Sequence, residues 1–331
     1  MKRKVAYIIL LVALMVPIGC RESHSDVELS ESQKLELLDL KLRKHPKDAT
    51  LLAERAKVLI NLGRVKEAWI DINKAVDLEP KNIEYRLLQA DASFANGDIE
   101  KSYRALSEAE KLDPSNKDVQ LKMGEITFYA RDYDRSMQSL TRVTEVEPDN
   151  RTALFMKAYI YKETGDTANA VTLMRRVCDL YPDYEPAFEE LGVLYAVHSN
   201  PMAVEYLSTA LNLEPNNTNA AYALAMYYQH NNDFDQAETL YRKILDVNEN
   251  STDAWHNLGY IELFHYRDYE RAIEYMTKAI EADPNNLAAI VNRGCAFELA
   301  GQRDKARSDF ETALAINSGY QPAIDGYNRV K

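Results

Sequence analysis

Hydrophobic positions along this chain follow a helical period, and the helical stretches follow a longer one. Around Trp255 the spacing i, i+3, i+4, i+7 runs through Leu258, Gly259 and Glu262 with Leu263 alongside, one face of an α-helix. A glycine, or an Asn or Asp, then interrupts the stripe. A second stripe follows, with Leu106, Leu140, Met174, Leu207, Tyr241, Met276 and Phe310 recurring as its large residues. Prolines at 46, 80, 114, 148, 182, 215 and 284 close the pairs, and their gaps of 34, 34, 34, 34, 33 and 69 are a period of about 34 with one position skipped. The pattern predicts helix pairs in series, which excludes a single globular core.

With the proline as column 32 of a 34-residue unit, the first unit is 49–82. Gly63, Gly97, Gly165 and Gly301 fall in column 15, where a glycine ends the first helix. Gly124, Gly192, Gly259 and Gly294 fall in column 8. Column 20 holds Ala68, Ser102, Ser136, Ala170, Ala203, Ala237, Ala272 and Ala306, and column 27 is similarly compact, from Ala75 and Ala109 to Ala313. Small residues in columns 8 and 20 let the paired helices approach closely. Asn or Asp after the proline, as in Pro80-Lys81-Asn82, Pro148-Asp149-Asn150 and Pro284-Asn285-Asn286, supplies a cap for the next helix.

These columns resemble the tetratricopeptide repeat, whose pattern has a large residue at 4, Leu at 7, small at 8, aromatic at 11, Ala at 20, a large residue at 24, Ala at 27 and Pro at 32. The unit 252–286 carries it most fully, with Trp255, Leu258, Gly259, Ala272, Ala279 and Pro284. The resemblance covers 49–320 in eight units: 49–82, 83–116, 117–150, 151–184, 185–217, 218–251, 252–286 and 287–320. One is a residue short around Val197 to Pro201 and one a residue long around Phe264 to Tyr269; Glu249 and Ser318 replace the proline in two. Ser93, Thr127 and Glu262 depart from the aromatic at column 11, which predicts looser packing there. The resemblance implies an all-α fold, a right-handed superhelical solenoid. A stacked array exposes an apolar face at each end, so the helical segments 31–46 and 321–331 are expected to cap it.

Composition changes the picture at the N-terminus. Lys2, Arg3 and Lys4 precede the apolar run Val5 to Val16 and the sequence Pro17-Ile18-Gly19-Cys20, an export signal over residues 1–19. Gly19-Cys20 resembles the bacterial lipoprotein box, which implies cleavage before Cys20, its lipidation, and a polar tether over 20–30. Arg21, where inner-membrane lipoproteins of that kind often carry Asp, points to the outer membrane, facing periplasm or surface. The net charge of −12 becomes more negative once Lys2, Arg3 and Lys4 are removed, which argues against a nucleic-acid partner.

Little remains for chemistry. The six histidines form no HExxH and no i, i+4 pair, so no metal and no cofactor is expected, and the glycines are spent on packing and turns rather than on a phosphate loop. Cys178 and Cys295 lie several units apart, so a disulfide between them is disfavoured. The chain is not expected to be an enzyme.

What varies between units is the groove that, by resemblance, the first helices line through columns 2, 5, 9, 12 and 13. Those columns hold Phe128, Tyr129, Phe155, Tyr159, Tyr222, Met226, His256, Tyr260 and Phe264, with Glu84, Asp91, Asp118, Glu125 and Glu189 as its acidic members. Tyr129, Phe155, Tyr159, Tyr222, Met226, His256 and Tyr260 are the candidate partner-binding set. One family sub-type clamps a C-terminal carboxylate with Lys, Asn and Arg; Ala53, Lys57, Leu88, Asp118 and Lys122 stand at those places, so that mode is not expected. The reading is a membrane-anchored scaffold that binds a protein or peptide segment, in assembly, secretion or envelope maintenance. The rival is a lipoprotein that captures glycan or another ligand for a surface uptake complex.

Overall fold

The computed structural model describes residues 29–331, and every regular element among them is helical. The predicted export signal, Cys20 and nearly all of the tether lie outside the described residues. The chain divides into two compact units, one ending at Leu112 and the other comprising Asp113–Lys331.

In the first unit a lone helix, α1 (Glu31–Lys44), precedes two pairs: α2 (Ala49–Asn61) with α3 (Val65–Leu78), and α4 (Ile83–Ala95) with α5 (Ile99–Leu112). Helix α1 starts at a capping box in which Ser30 and Gln33 bond to each other's backbone amides, and it buries Leu38 and Leu42.

The second unit holds six pairs and a terminal helix. The pairs are α6 (Lys117–Tyr129) and α7 (Tyr133–Val146), α8 (Arg151–Thr164) and α9 (Thr167–Leu180), α10 (Glu185–Val197) and α11 (Met202–Leu213), and α12 (Thr218–His230) and α13 (Phe234–Val247). Then come α14 (Thr252–Ile261) with α15 (Tyr269–Ala282), α16 (Leu287–Leu299) with α17 (Arg303–Ile316), and α18 (Gln321–Val330).

The columns explain the pairing. Asp48, Asn82, Asn116, Asn150, Asn217, Ser251 and Asn286 each cap the first helix of a pair by accepting an amide hydrogen from its first turn. Within a pair, the column-8 residue faces the column-24 side chain: a Cβ added to Gly192 would lie 2.6 Å from Leu207 Cγ and 3.0 Å from the Leu207 backbone nitrogen, which cannot withdraw. Serine at column 20 adds a bond across the same contact, Ser102 Oγ donating to the Ala90 carbonyl at 2.9 Å and Ser136 Oγ to that of Gly124 at 2.7 Å.

Column 15 takes the left-handed conformation in every pair, whether or not glycine occupies it. Gly63, Gly97, Gly165 and Gly301 have φ of 72°, 78°, 86° and 76°, and Arg131, Ser199, Asn232 and Arg267 adopt 61°, 52°, 61° and 58°. The turn demands the conformation, and a side chain there is strained.

The two length changes are absorbed locally. The missing residue near Val197 leaves α11 at 12 residues, and the extra one near Phe264 is taken up as a π-helical turn, Glu262–Tyr266, that extends α14. At column 11, Ser93 Oγ donates to the Gln89 carbonyl at 2.8 Å and Thr127 Oγ1 to that of Met123 at 2.6 Å; both side chains are buried and satisfied by their own helix. Glu262 is buried as well, with Oε1 3.1 Å from the Arg271 guanidinium and burial holding its carboxyl above the usual range.

Candidate functional site

The first helices of successive pairs bring side chains from neighbouring repeats together, and in the second unit these contacts trace the aromatic columns. Phe128 at the end of α6 meets Tyr159 of α8 edge-on at 5.8 Å and Tyr129 at 6.1 Å. Tyr222 of α12 accepts a bond from Asn257 Nδ2 of α14 at 3.3 Å, and His256 Nε2 lies 3.1 Å from Asn292 Nδ2 of α16. Column 6 of one repeat thus reaches back to column 5 of the repeat before it.

The candidate set does not present itself uniformly. Phe155 is 8% exposed and packs edge-on to Tyr184 at 5.3 Å, so its ring serves the core. Tyr129 and Tyr159 are half-buried; burial pushes the Tyr129 hydroxyl up to about 12 and raises that of Tyr159 as well. Lys162 Nζ sits 4.6 Å from the centre of the Tyr159 ring and pairs with Glu190. Tyr222 and Met226 are half-buried beside Tyr241, whose hydroxyl donates to Gln229 Oε1 at 2.9 Å and approaches Met226 Sδ at 3.1 Å. His256 is half-buried, and desolvation lowers its pKa against the pull of Asp253. Tyr260 and Phe264 are the open end, 39% and 51% exposed with rings 4.6 Å apart.

The π turn explains why Phe264 is outside. Its extra residue lets His265 stack on Phe234 at 3.9 Å and Tyr266 donate to Asp235 Oδ1 at 2.8 Å, which ties the turn to the preceding pair. Phe264, one position earlier, is left with Tyr260 as its one ring neighbour among the described residues.

A carboxylate pair also belongs to this face, and only Glu189 of it was evident from the columns. Asn217, the cap of α12, donates from Nδ2 to Glu185 Oε1 and to Glu189 Oε2, both at 2.7 Å. Burial, then the neighbouring Glu189 charge, pushes the Glu185 carboxyl up to about 7, and burial raises Glu189 too. Between pH 4.5, the reference value, and about 7 the folded chain binds a proton at Glu185 that the unfolded chain has released, so stability falls as pH rises through that window. Melting temperatures of the wild type and Glu185→Gln should therefore diverge at pH 8, with the variant higher, and converge at pH 5. Parallel curves would show that the carboxyl is not strained.

Among the described residues no group of three or more His, Cys, Asp and Glu is placed to hold a metal. Cys178 is buried and Cys295 half-buried, and both are free thiols with pKa values raised by burial.

A serial array of paired helices with a variable first-helix face defines a repeat protein of the helix-pair class. The tetratricopeptide repeat pattern matches residues 121–185 and 222–287 in one form and 49–82 in another, and the chain is built from tetratricopeptide repeats. Two solved structures share the fold. The C-terminal part of a repeat-containing protein of Cytophaga hutchinsonii has a TM-score of 0.63 at 15% identity, over 74% of this chain and 99% of that one. A tetratricopeptide repeat protein of Parabacteroides merdae has a TM-score of 0.54 at 17% identity, over 75% and 98%. Superkiller protein 3 of Schizosaccharomyces pombe is 28% identical over 142 residues, 40% of this chain and 10% of that protein, so this chain matches about a tenth of that relative's length.

Proposed function

We propose that the protein is a non-catalytic adaptor that binds a segment of another protein along the first-helix face of its second unit, and that a lipid on Cys20 holds it at a bacterial outer membrane. The observation that carries the binding face is the exposed Tyr260 and Phe264 pair at the end of a series of half-buried rings, Tyr129, Tyr159 and Tyr222, interrupted only at α10, where Glu189 stands in the groove column instead. Solvent-facing aromatic area beyond what packing needs is where partners dock, because large rigid rings bury much surface at small entropic cost. The repeat fold supports a protein-binding role. Anchoring rests on Gly19-Cys20 at the end of an apolar run, and two acyl chains hold a protein on a bilayer at about 0.8 kcal/mol per buried methylene. The anchor then raises the local concentration of partner segments at the membrane, in assembly, secretion or envelope maintenance.

Photo-crosslinkers at positions 159 and 260 should capture a protein in intact membranes, and Tyr159→Ala with Tyr260→Ala should weaken that complex by at least tenfold. An unchanged complex would sink the aromatic face as the docking site. In the same cells Cys20→Ser should move the protein to the soluble fraction; retention in the membrane would refute the lipid anchor.

A further inference from the structure

Resting on the adaptor reading, we propose that the segment bound along α8, α10, α12 and α14 is basic and amphipathic, its Lys or Arg side chains meeting the carboxylates of Glu185 and Glu189 and its apolar side chains the rings of Tyr159, Tyr222 and Tyr260.

Charge complementarity selects this occupant. Glu185 and Glu189 share one neutral donor, the amide of Asn217, which brings their oxygens within about two hydrogen-bond lengths of each other. No ion pair of either carboxylate is found among the described residues. The cations on this part of the face make their direct contacts with other groups: Lys162 pairs with Glu190 over the Tyr159 ring, its charge also favouring the ionised Glu189 but not offsetting burial there, Arg151 lies over the rings of Tyr181 and Tyr184 at 5.6 and 4.5 Å, and Lys157 donates to Thr144 Oγ1 at 3.2 Å. Glu190 and Glu214 add further negative potential at Glu185. A partly desolvated carboxylate pair with no ion pair of its own costs the free protein stability, and a partner's cation placed there relieves that cost, so the gain appears as binding. An acidic segment would meet repulsion at the same point, and a purely apolar one would desolvate the carboxylates further without compensation. The aromatic rings on either side supply the apolar contact, and their electron-rich faces also accept a cation, as Tyr159 and Tyr184 already do within the chain.

The test uses the full chain and three fluorescent peptides of about twelve residues with the same leucine spacing and Lys, Gln or Glu at the remaining positions. The Lys peptide should bind, with affinity falling as salt rises, and at least tenfold tighter than the Gln or Glu peptide. Glu185→Gln with Glu189→Gln should weaken the Lys peptide at least tenfold while leaving the melting temperature at or above that of the wild type. Glu281→Gln with Glu311→Gln, which removes the same charge from exposed sites on α15 and α17, should change affinity less than twofold. Equal binding of the Lys and Gln peptides, an unaltered affinity in the Glu185/Glu189 variant, an equal loss in the control variant, or no binding by any of the peptides would overturn the basic occupant. Crosslinking at positions 159 and 260 judges the adaptor reading separately, because it does not presuppose the partner's charge.

Discussion

Replacing Phe310 by alanine is expected to cost about 3–5 kcal/mol and to open α16, α17 and α18 ahead of the other helices. The ring is fully buried in α17 and fills a space moulded by two glycines. A Cβ at Gly294 of α16 would stand 2.8 Å from the ring, and one at Gly326 of α18 would stand 2.4 Å from it. Neither glycine has a side chain that could swing in, so the two walls closest to the ring leave the hole open. The cavity therefore persists and the loss falls at the high end of such truncations. In a repeat array each pair leans only on its neighbours, so the damage stays local. Hydrogen exchange should show lost protection in α16 to α18 and near wild-type protection in α6 to α9. Gly326→Leu should be as damaging by the opposite route, driving atoms into the ring, and Phe310→Ala should partly rescue it. Uniform loss of protection across the second unit would contradict the local picture.

The same contact shows why so much of the fold is legible in the sequence. Column 8 is small because column 24 is large and rests on it, so Gly294 and Phe310, like Gly192 and Leu207, are two halves of one packing event. The period registers that event in every repeat. Column 15 was legible as glycine in four repeats, whereas the structure shows that the conserved quantity is the left-handed backbone. Arg131, Ser199, Asn232 and Arg267 carry it without the residue that advertises it. The extra residue near Phe264 was countable, but that it becomes a π turn depends on contacts of His265 and Tyr266 with Phe234 and Asp235, some thirty residues away.

The candidate site was legible by column and not by orientation. Columns 5, 9 and 12 lie along the groove, yet they border the core, so Phe155 turns inward while Tyr260 turns out. Glu185 and Asn217 were invisible as a site because they are separated by 32 residues and meet only when one repeat's cap lands beside the preceding repeat's first turn. Such contacts between successive repeats have no local sequence signature.

The largest electrostatic effect is expected at Arg293. This residue stands in column 7, where the repeat pattern calls for leucine, and its guanidinium grips Asp309 through two bonds of 2.9 and 2.8 Å while a third reaches Thr277 Oγ1 at 3.2 Å. Arg55 repeats the arrangement in the first unit, with two bonds to Asp71 of 2.7 and 2.8 Å and one to Asp39 of 2.7 Å. Asp309 is 5% exposed, so Arg293→Met leaves a carboxylate in the core without its counter-charge, a loss of about 3–5 kcal/mol. Removing both charges is a different experiment. Leu191, Leu224 and Leu258 fill column 7 in other repeats and are buried there, so the helix pair accepts an aliphatic contact at this place. Arg293→Leu with Asp309→Leu should accordingly recover most of the loss, and it can exceed wild-type stability because the desolvation of two ions is no longer incurred. Urea unfolding of Arg293→Leu, Asp309→Leu and the double variant closes the cycle. A single-variant cost below about 1 kcal/mol would mean that the pair behaves like an exposed salt bridge, and that water reaches Asp309 once the arginine is gone.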